Sequence, residues 1–125
     1  MDLLKILLVE DDPMDQLIVE KLAVYAGFEV EVAANGKEAI TKLIAGNYDL
    51  VLMDLDMPLM NGYETTHYIR NHLEAKKHIP IIIITGKDDR GEAARCLLLG
   101  ANTFLTKPVT AANLIQEINT LVIGQ

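Results

Sequence analysis

Five short strand-like runs, each handing over to a helix-like pattern, constrain this chain more than any other feature. Leu50–Met53 and Ile81–Ile84 are continuous apolar tetrads, and Leu3–Val9 is apolar except at Lys5. Phe28–Ala33 alternates Val30 and Val32 against Glu29 and Glu31, and Asn102–Thr106 is a short fifth run. Unbroken apolar runs of this length suit strands buried on both faces. Between them the period changes. Asp12-Pro13 supplies an N-cap and a first-turn proline, followed by Met14, Leu17, Ile18, Leu22, Tyr25 and Ala26 up to Gly27. Asn35-Gly36 is a turn signal, after which Ala39, Ile40, Leu43 and Ile44 mark a helix closed by Gly46. A third helix runs from about Gly62 through Asn71, and 74–78 reads as loop or frayed helix. Gly91–Leu99 carries Ala93, Ala94, Cys96, Leu97 and Leu98 as its inner residues. Thr110 caps a last helix bearing Leu114, Ile115, Ile118, Leu121 and Val122. Strands alternating with helices predict an α/β fold: a parallel sheet, doubly wound, with helices on both faces.

The chain of 125 residues reads as a single domain without linker, repeat or low-complexity tract. A formal net charge of −7 argues against direct nucleic-acid binding, which needs clustered Lys and Arg. No run approaches the roughly 20 apolar residues that cross a bilayer, so no membrane insertion is expected. Residues 1–5 lack the pattern of a signal peptide. The one cysteine, Cys96, has no partner within the chain and sits in an apolar pattern, so it reads as a core residue in a reducing cytoplasm. His67, His72 and His78 are scattered through polar sequence and read as surface residues.

The chemistry lies in how the strands end. The first ends in Glu10-Asp11, the third in Asp54, the fourth in Thr85 and the fifth at Lys107. In a parallel sheet these ends share one edge, where open α/β folds place their ligands. Carboxylates gathered there repel one another unless a cation joins them. A hard, oxygen-rich site with few protein ligands suits Mg²⁺, with Mn²⁺ as the other candidate. A hydroxyl and an ammonium beside it suit the oxygens of a phosphoryl group.

Taken together, Glu10-Asp11, the segment Asp54-Leu55-Asp56-Met57-Pro58-Leu59-Met60-Asn61-Gly62, Thr85 and Thr106-Lys107-Pro108 resemble the response-regulator receiver domain of two-component signalling. The resemblance covers essentially the whole chain. It implies a flavodoxin-like (βα)5 fold with strand order 2-1-3-4-5, which brings the acids together at the switch point. It also implies that Asp54 is the phosphoacceptor, taking a phosphoryl group from a histidine kinase or histidine phosphotransfer protein. Asp11 would bind Mg²⁺ directly, Glu10 mainly through water, and Asp56 through its backbone carbonyl. Lys107 and Thr85 would each hold a phosphoryl oxygen. Such a domain is not an enzyme acting on external substrates, since it catalyses only its own phosphorylation and dephosphorylation.

The same resemblance makes Thr85 and Phe104 a switch pair that reshapes the face of helix four, strand five and helix five toward a downstream protein partner or a fused effector. It matches Lys107-Pro108 to a cis peptide. Asp56 and Lys87 flank the site and would tune the phosphoryl lifetime. After Lys107 the only charged side chain is Glu117, unlike receivers attached to winged-helix DNA-binding domains, and the Met53–Glu64 run is closer to receivers of hybrid histidine kinases. Two rivals remain. A phosphorylation-independent docking module, a pseudo-receiver, would carry the same fold. A haloacid-dehalogenase-like phosphatase shares the D-x-D pattern but normally places its nucleophile on the first strand and needs additional chain for a cap. A flavin binder would need a phosphate loop after the first strand, and none is present.

Overall fold

A computed structural model describes residues 3–86 and 90–123. Five strands, β1 (Lys5–Val9), β2 (Glu29–Ala33), β3 (Leu50–Asp54), β4 (Ile81–Thr85) and β5 (Thr103–Thr106), form one sheet in the order β2-β1-β3-β4-β5. Every adjacent pair is parallel. The helices are α1 (Pro13–Tyr25), α2 (Gly36–Ala45), α3 (Gly62–His72), α4 (Arg90–Leu99) and α5 (Ala111–Ile118). The predicted doubly wound arrangement is the observed one.

Strand periodicity builds two cores from one sheet, because successive side chains point to opposite faces. Leu7, Val9, Val51, Met53, Ile81 and Ile83 pack with Ala39, Leu43, Ile69 and Cys96 of α2, α3 and α4. Ile6, Leu8, Leu50, Leu52, Ile82 and Ile84 pack with Val19, Ala23, Leu114 and Ile118 of α1 and α5. Both faces of β3 and β4 are fully buried, which is why those strands read as unbroken apolar runs.

Helix starts follow the capping chemistry of the sequence. Asp12 accepts from the Asp15 N–H with Pro13 at the first position, Asn35 accepts from the Glu38 N–H, and Asn61 and Glu64 form a reciprocal capping box. Gly36 is thus the first residue of α2 rather than part of a free turn. A Cβ there would collide with Thr65 Oγ1 and lie 2.5 Å from the Met60 carbonyl, so only glycine lets α2 approach α3 this closely.

Two helix faces differ from the expectation. In α1 the inward line is Val19 and Ala23, with Leu22 and Ala26 half-buried, whereas Met14, Leu17, Ile18 and Tyr25 are exposed. The helix is apolar on two sides, and its smaller residues Val19 and Ala23 are the ones that share a core with Ile6 and Leu8. In α4, Cys96 is buried but Leu98 is 87 % exposed and Leu97 and Ala94 also face outward. One narrow line of contact suffices to seat an edge helix. The side chain of Ala93 lies outside the described residues. The 74–78 stretch contains a short 3-10 turn, Glu74–Lys76, and the last helix continues from Asn119 to Ile123 with wider, π-type winding.

Candidate functional site at the carboxyl edge of the sheet

The register delivers the predicted residues to one edge. Val9 pairs with Met53, Asp54 with Ile84 and Thr85 with Thr106, so Glu10, Asp11, Asp54, Thr85 and Lys107 all emerge at the same end. The backbone fastens each ending. The Glu10 N–H donates to the Ala33 carbonyl at 3.0 Å, the Leu55 N–H to Ile84 at 3.0 Å, and the Lys107 N–H to Thr85 at 2.8 Å. The Lys107–Pro108 peptide is cis. Gly62 packs against the strand end itself, since a Cβ there would sit 3.0 Å from the Asp54 carbonyl oxygen.

Carboxylate oxygens of Glu10, Asp11 and Asp54 lie within 4.8 Å of one another. Glu10 and Asp54 are almost completely buried and Asp11 is exposed, so the cluster has a dry floor and one wet wall. Glu10 Oε2 accepts from the Asp12 N–H at 3.1 Å, while Glu10 Oε1 is buried with no hydrogen-bond partner among the described residues. An orphaned carboxylate oxygen beside two further acids is a costly arrangement that a hard cation would relieve.

Lys107 Nζ is the counter-charge. It stands 3.3 Å from Asp54 Oδ1, 3.3 Å from Asp15 Oδ2 and 4.0 Å from Glu10 Oε1. Burial pushes Glu10 up to about 7, opposed by the Asp12 N–H and Lys107 and reinforced by Asp54 and Asp15. Burial likewise raises Asp54 above the ordinary carboxylate range. Lys107 pulls it back down, and the charges of Asp11 and Asp56 push it further up. Burial alone would lower Lys107, but the facing carboxylates of Asp54 and Glu10 and the bond to Asp15 hold it above its ordinary value. Among the described residues, Lys107 is the one ammonium facing this excess of buried negative charge.

The remaining predicted residues fall as follows. Thr85 is buried at the end of β4, and its Oγ1 donates to the Gly86 carbonyl at 3.3 Å. Phe104 pairs with Ile83, two residues inward from Thr85–Thr106, and packs half-buried on the α2–α4 side. Thr85 and Phe104 are therefore diagonal neighbours on one face of the sheet. The side chain of Asp56 is exposed two residues beyond Asp54. Lys87 lies outside the described residues. The three histidines are exposed, and Cys96 is buried with its thiol pushed up to about 11, chiefly by that burial.

Two contributors were missed by the sequence reading. Asp15 reaches Lys107 from α1, and Gln16 Nε2 donates to the Glu10 carbonyl at 2.6 Å. The sequence carried only part of the signal: the Asp12-Pro13 cap fixes where α1 begins and so puts Asp15 and Gln16 in its first turn, but not what they touch.

Comparison with known proteins places this geometry. The family model for the response regulator receiver domain matches residues 6–119. Hybrid signal transduction histidine kinase G of Dictyostelium discoideum is 39 % identical over 118 residues, covering 93 % of this chain and 3 % of that protein. Two-component response regulator 24 of Arabidopsis thaliana is 38 % identical over 117 residues, covering 92 % of this chain and 81 % of that one. The chain thus spans only a small fraction of the hybrid kinases that it matches. Among solved structures, the receiver domain of sensor histidine kinase PA1611 from Pseudomonas aeruginosa PAO1 superimposes with a TM-score of 0.89 at 34 % identity. That likeness covers 99 % of this chain and all of the other, whose structure has a magnesium ion coordinated in its active-site cleft.

Proposed function

The chain belongs to the response regulator receiver domain family, and from that premise we propose that it is a working phosphoacceptor whose acceptor is Asp54. The observation that carries this reading is the buried Asp54 carboxylate, which shares its edge with Glu10, Asp11 and a lysine at 3.3 Å. A bare docking module would gain nothing from burying carboxylates that, among the described residues, Lys107 only partly compensates.

The acids fit Mg²⁺. Asp11 and Asp54 would hold it directly, Glu10 mainly through water, and the Asp56 backbone carbonyl would complete the protein's share, with Mn²⁺ suited to the same oxygens. When bound, the ion neutralises charge on the phosphoryl oxygens. The chain's own residues do the rest. Asp54 presents a carboxylate oxygen to phosphorus in a phosphohistidine or a small acyl phosphate. The new O–P bond forms as the bond from phosphorus to the donor breaks, and the donor leaves with the electron pair and takes up a proton. Lys107 and Thr85 each hold a phosphoryl oxygen. Phosphorylation draws Thr85 inward and Phe104 follows into the space it leaves, biasing a two-state face formed by α4, β5 and α5.

Under this reading the chain acts on no external substrate, works in the cytoplasm, and takes its phosphoryl group from a histidine kinase or histidine phosphotransfer protein. Asp56 and Lys87 tune the lifetime of the aspartyl phosphate. Beryllofluoride titration followed by ¹⁹F NMR tests the site directly. The reading expects one bound fluoride species in Mg²⁺, none in EDTA and none for Asp54→Asn. Binding that survives Asp54→Asn would overturn the assignment of the acceptor.

A further inference from the structure

We propose that Asp15 is a positioning residue for Lys107, giving the ammonium a second seat on the α1 side that lets a divalent cation enter at Asp54. The inference rests on the reading of the acid cluster as a Mg²⁺ site. It begins from a symmetry in the distances: Lys107 Nζ is 3.3 Å from Asp15 Oδ2 and 3.3 Å from Asp54 Oδ1. Asp15 stands outside the three-carboxylate cluster, so this contact leaves the oxygens of the metal site free. Its place is fixed by the backbone, because the Asp15 N–H donates to Asp12 Oδ2 at 2.8 Å in the cap of α1.

A cation arriving at Asp54 meets an ammonium already beside the same carboxylate, and the two positive charges repel. Among the described residues the other acid facing Lys107 is Glu10, 4.0 Å away and itself a member of the cluster. Without Asp15 the lysine's available partners are therefore the acids that the cation needs. With Asp15 it withdraws toward α1 while staying within reach of a phosphoryl group on Asp54. There is room for that movement: a cavity of about 350 Å³ lies beside Lys107, lined by Glu10 at the cluster and by Asp15, Ile18, Val19, Pro108 and Val109 toward α1 and the segment after β5.

Removal of Asp15 should weaken Mg²⁺ binding through Lys107 rather than through the lost charge alone. The test is a calorimetric Mg²⁺ titration of the parent, Asp15→Asn, Lys107→Met and the double variant, with circular dichroism confirming that each is folded. Asp15→Asn is expected to weaken binding about two- to fivefold, the range for a half-exposed ion pair. In the Lys107→Met background the same change should have a clearly smaller effect, since coupling between contacting residues appears as non-additivity. An equal effect in both backgrounds, or no effect in the parent background, overturns the inference while leaving the metal site standing. A parent chain that binds no Mg²⁺ overturns the site reading, and this inference with it.

Discussion

Glu10→Gln is the perturbation whose consequence the structure states most sharply. Burial holds the Glu10 carboxyl at about 7 against an ordinary 4.5. The folded chain therefore keeps a proton that the unfolded chain releases, and between those two values the native state binds more protons. Stability must fall as pH rises from about 4.5 to about 7 and level off above, the reverse of the usual salt-bridged acid. A displacement of that size corresponds to about 3 kcal/mol when Glu10 is fully ionised. That is a large share of the roughly 5–15 kcal/mol that stabilises a small domain. The raised Asp54 adds a slope of the same sign. In Glu10→Gln the amide carbonyl can keep the Asp12 N–H, and the amide NH₂ takes the side now occupied by the orphaned Oε1. Urea unfolding between pH 5 and pH 8 in EDTA, followed by far-ultraviolet circular dichroism because the chain has no Trp, reads the effect. The parent should lose stability across that range. Glu10→Gln should follow a flatter curve and be the more stable chain at pH 8. Parallel curves for the two proteins, or a parent that gains stability from pH 5 to pH 7, would refute the reasoning.

Three further outcomes follow from particular positions. Leu59 is exposed in the β3–α3 loop with φ 68°, a left-handed conformation that costs an ordinary side chain about 1–2 kcal/mol. Leu59→Asn should raise the urea midpoint by an amount worth about 0.5–1 kcal/mol, and a lowered midpoint would contradict the backbone assignment. Gly36→Ala drives a Cβ into Thr65 and the Met60 carbonyl and should cost about 1–3 kcal/mol; a neutral result would show that α2 and α3 do not meet as described. Phe104→Ala should leave phosphorylation of Asp54 intact while abolishing the phosphorylation dependence of partner binding, and partner binding that stays as phosphorylation-dependent as in the parent would remove Phe104 from the switch.

The parts of the fold that sequence reveals are those where one interaction dominates. Leu50–Met53 and Ile81–Ile84 are apolar on every side chain because both faces of their strands are covered, so periodicity alone identified them. Asp12-Pro13 and Thr110 marked helix starts because capping is local chemistry. The faces of α1 and α4 were misread for the opposite reason. Met14, Leu17, Ile18 and Leu98 are spaced as a core face would be, yet which stripe is buried depends on how the helix lies on the sheet, and local spacing does not carry that. The candidate site divides in the same way. Glu10, Asp11, Asp54, Thr85 and Lys107 were legible as strand endings, because a parallel sheet sends all of them to one edge. Asp15 was harder to read, because its contact with Lys107 spans 92 positions in sequence and exists only once α1 has packed beside α5.

The central claim is that Asp54 accepts a phosphoryl group, and intact mass spectrometry after incubation with acetyl phosphate tests it most directly. The account predicts a single phosphoryl adduct on the parent chain in Mg²⁺, none when EDTA replaces the metal, and none on a folded Asp54→Asn variant. An adduct that persists on Asp54→Asn would place the acceptor elsewhere. A parent chain that stays unmodified with acetyl phosphate, and also with a phosphorylated histidine phosphotransfer protein as donor, would contradict the phosphoacceptor reading and leave a receiver that works by docking alone.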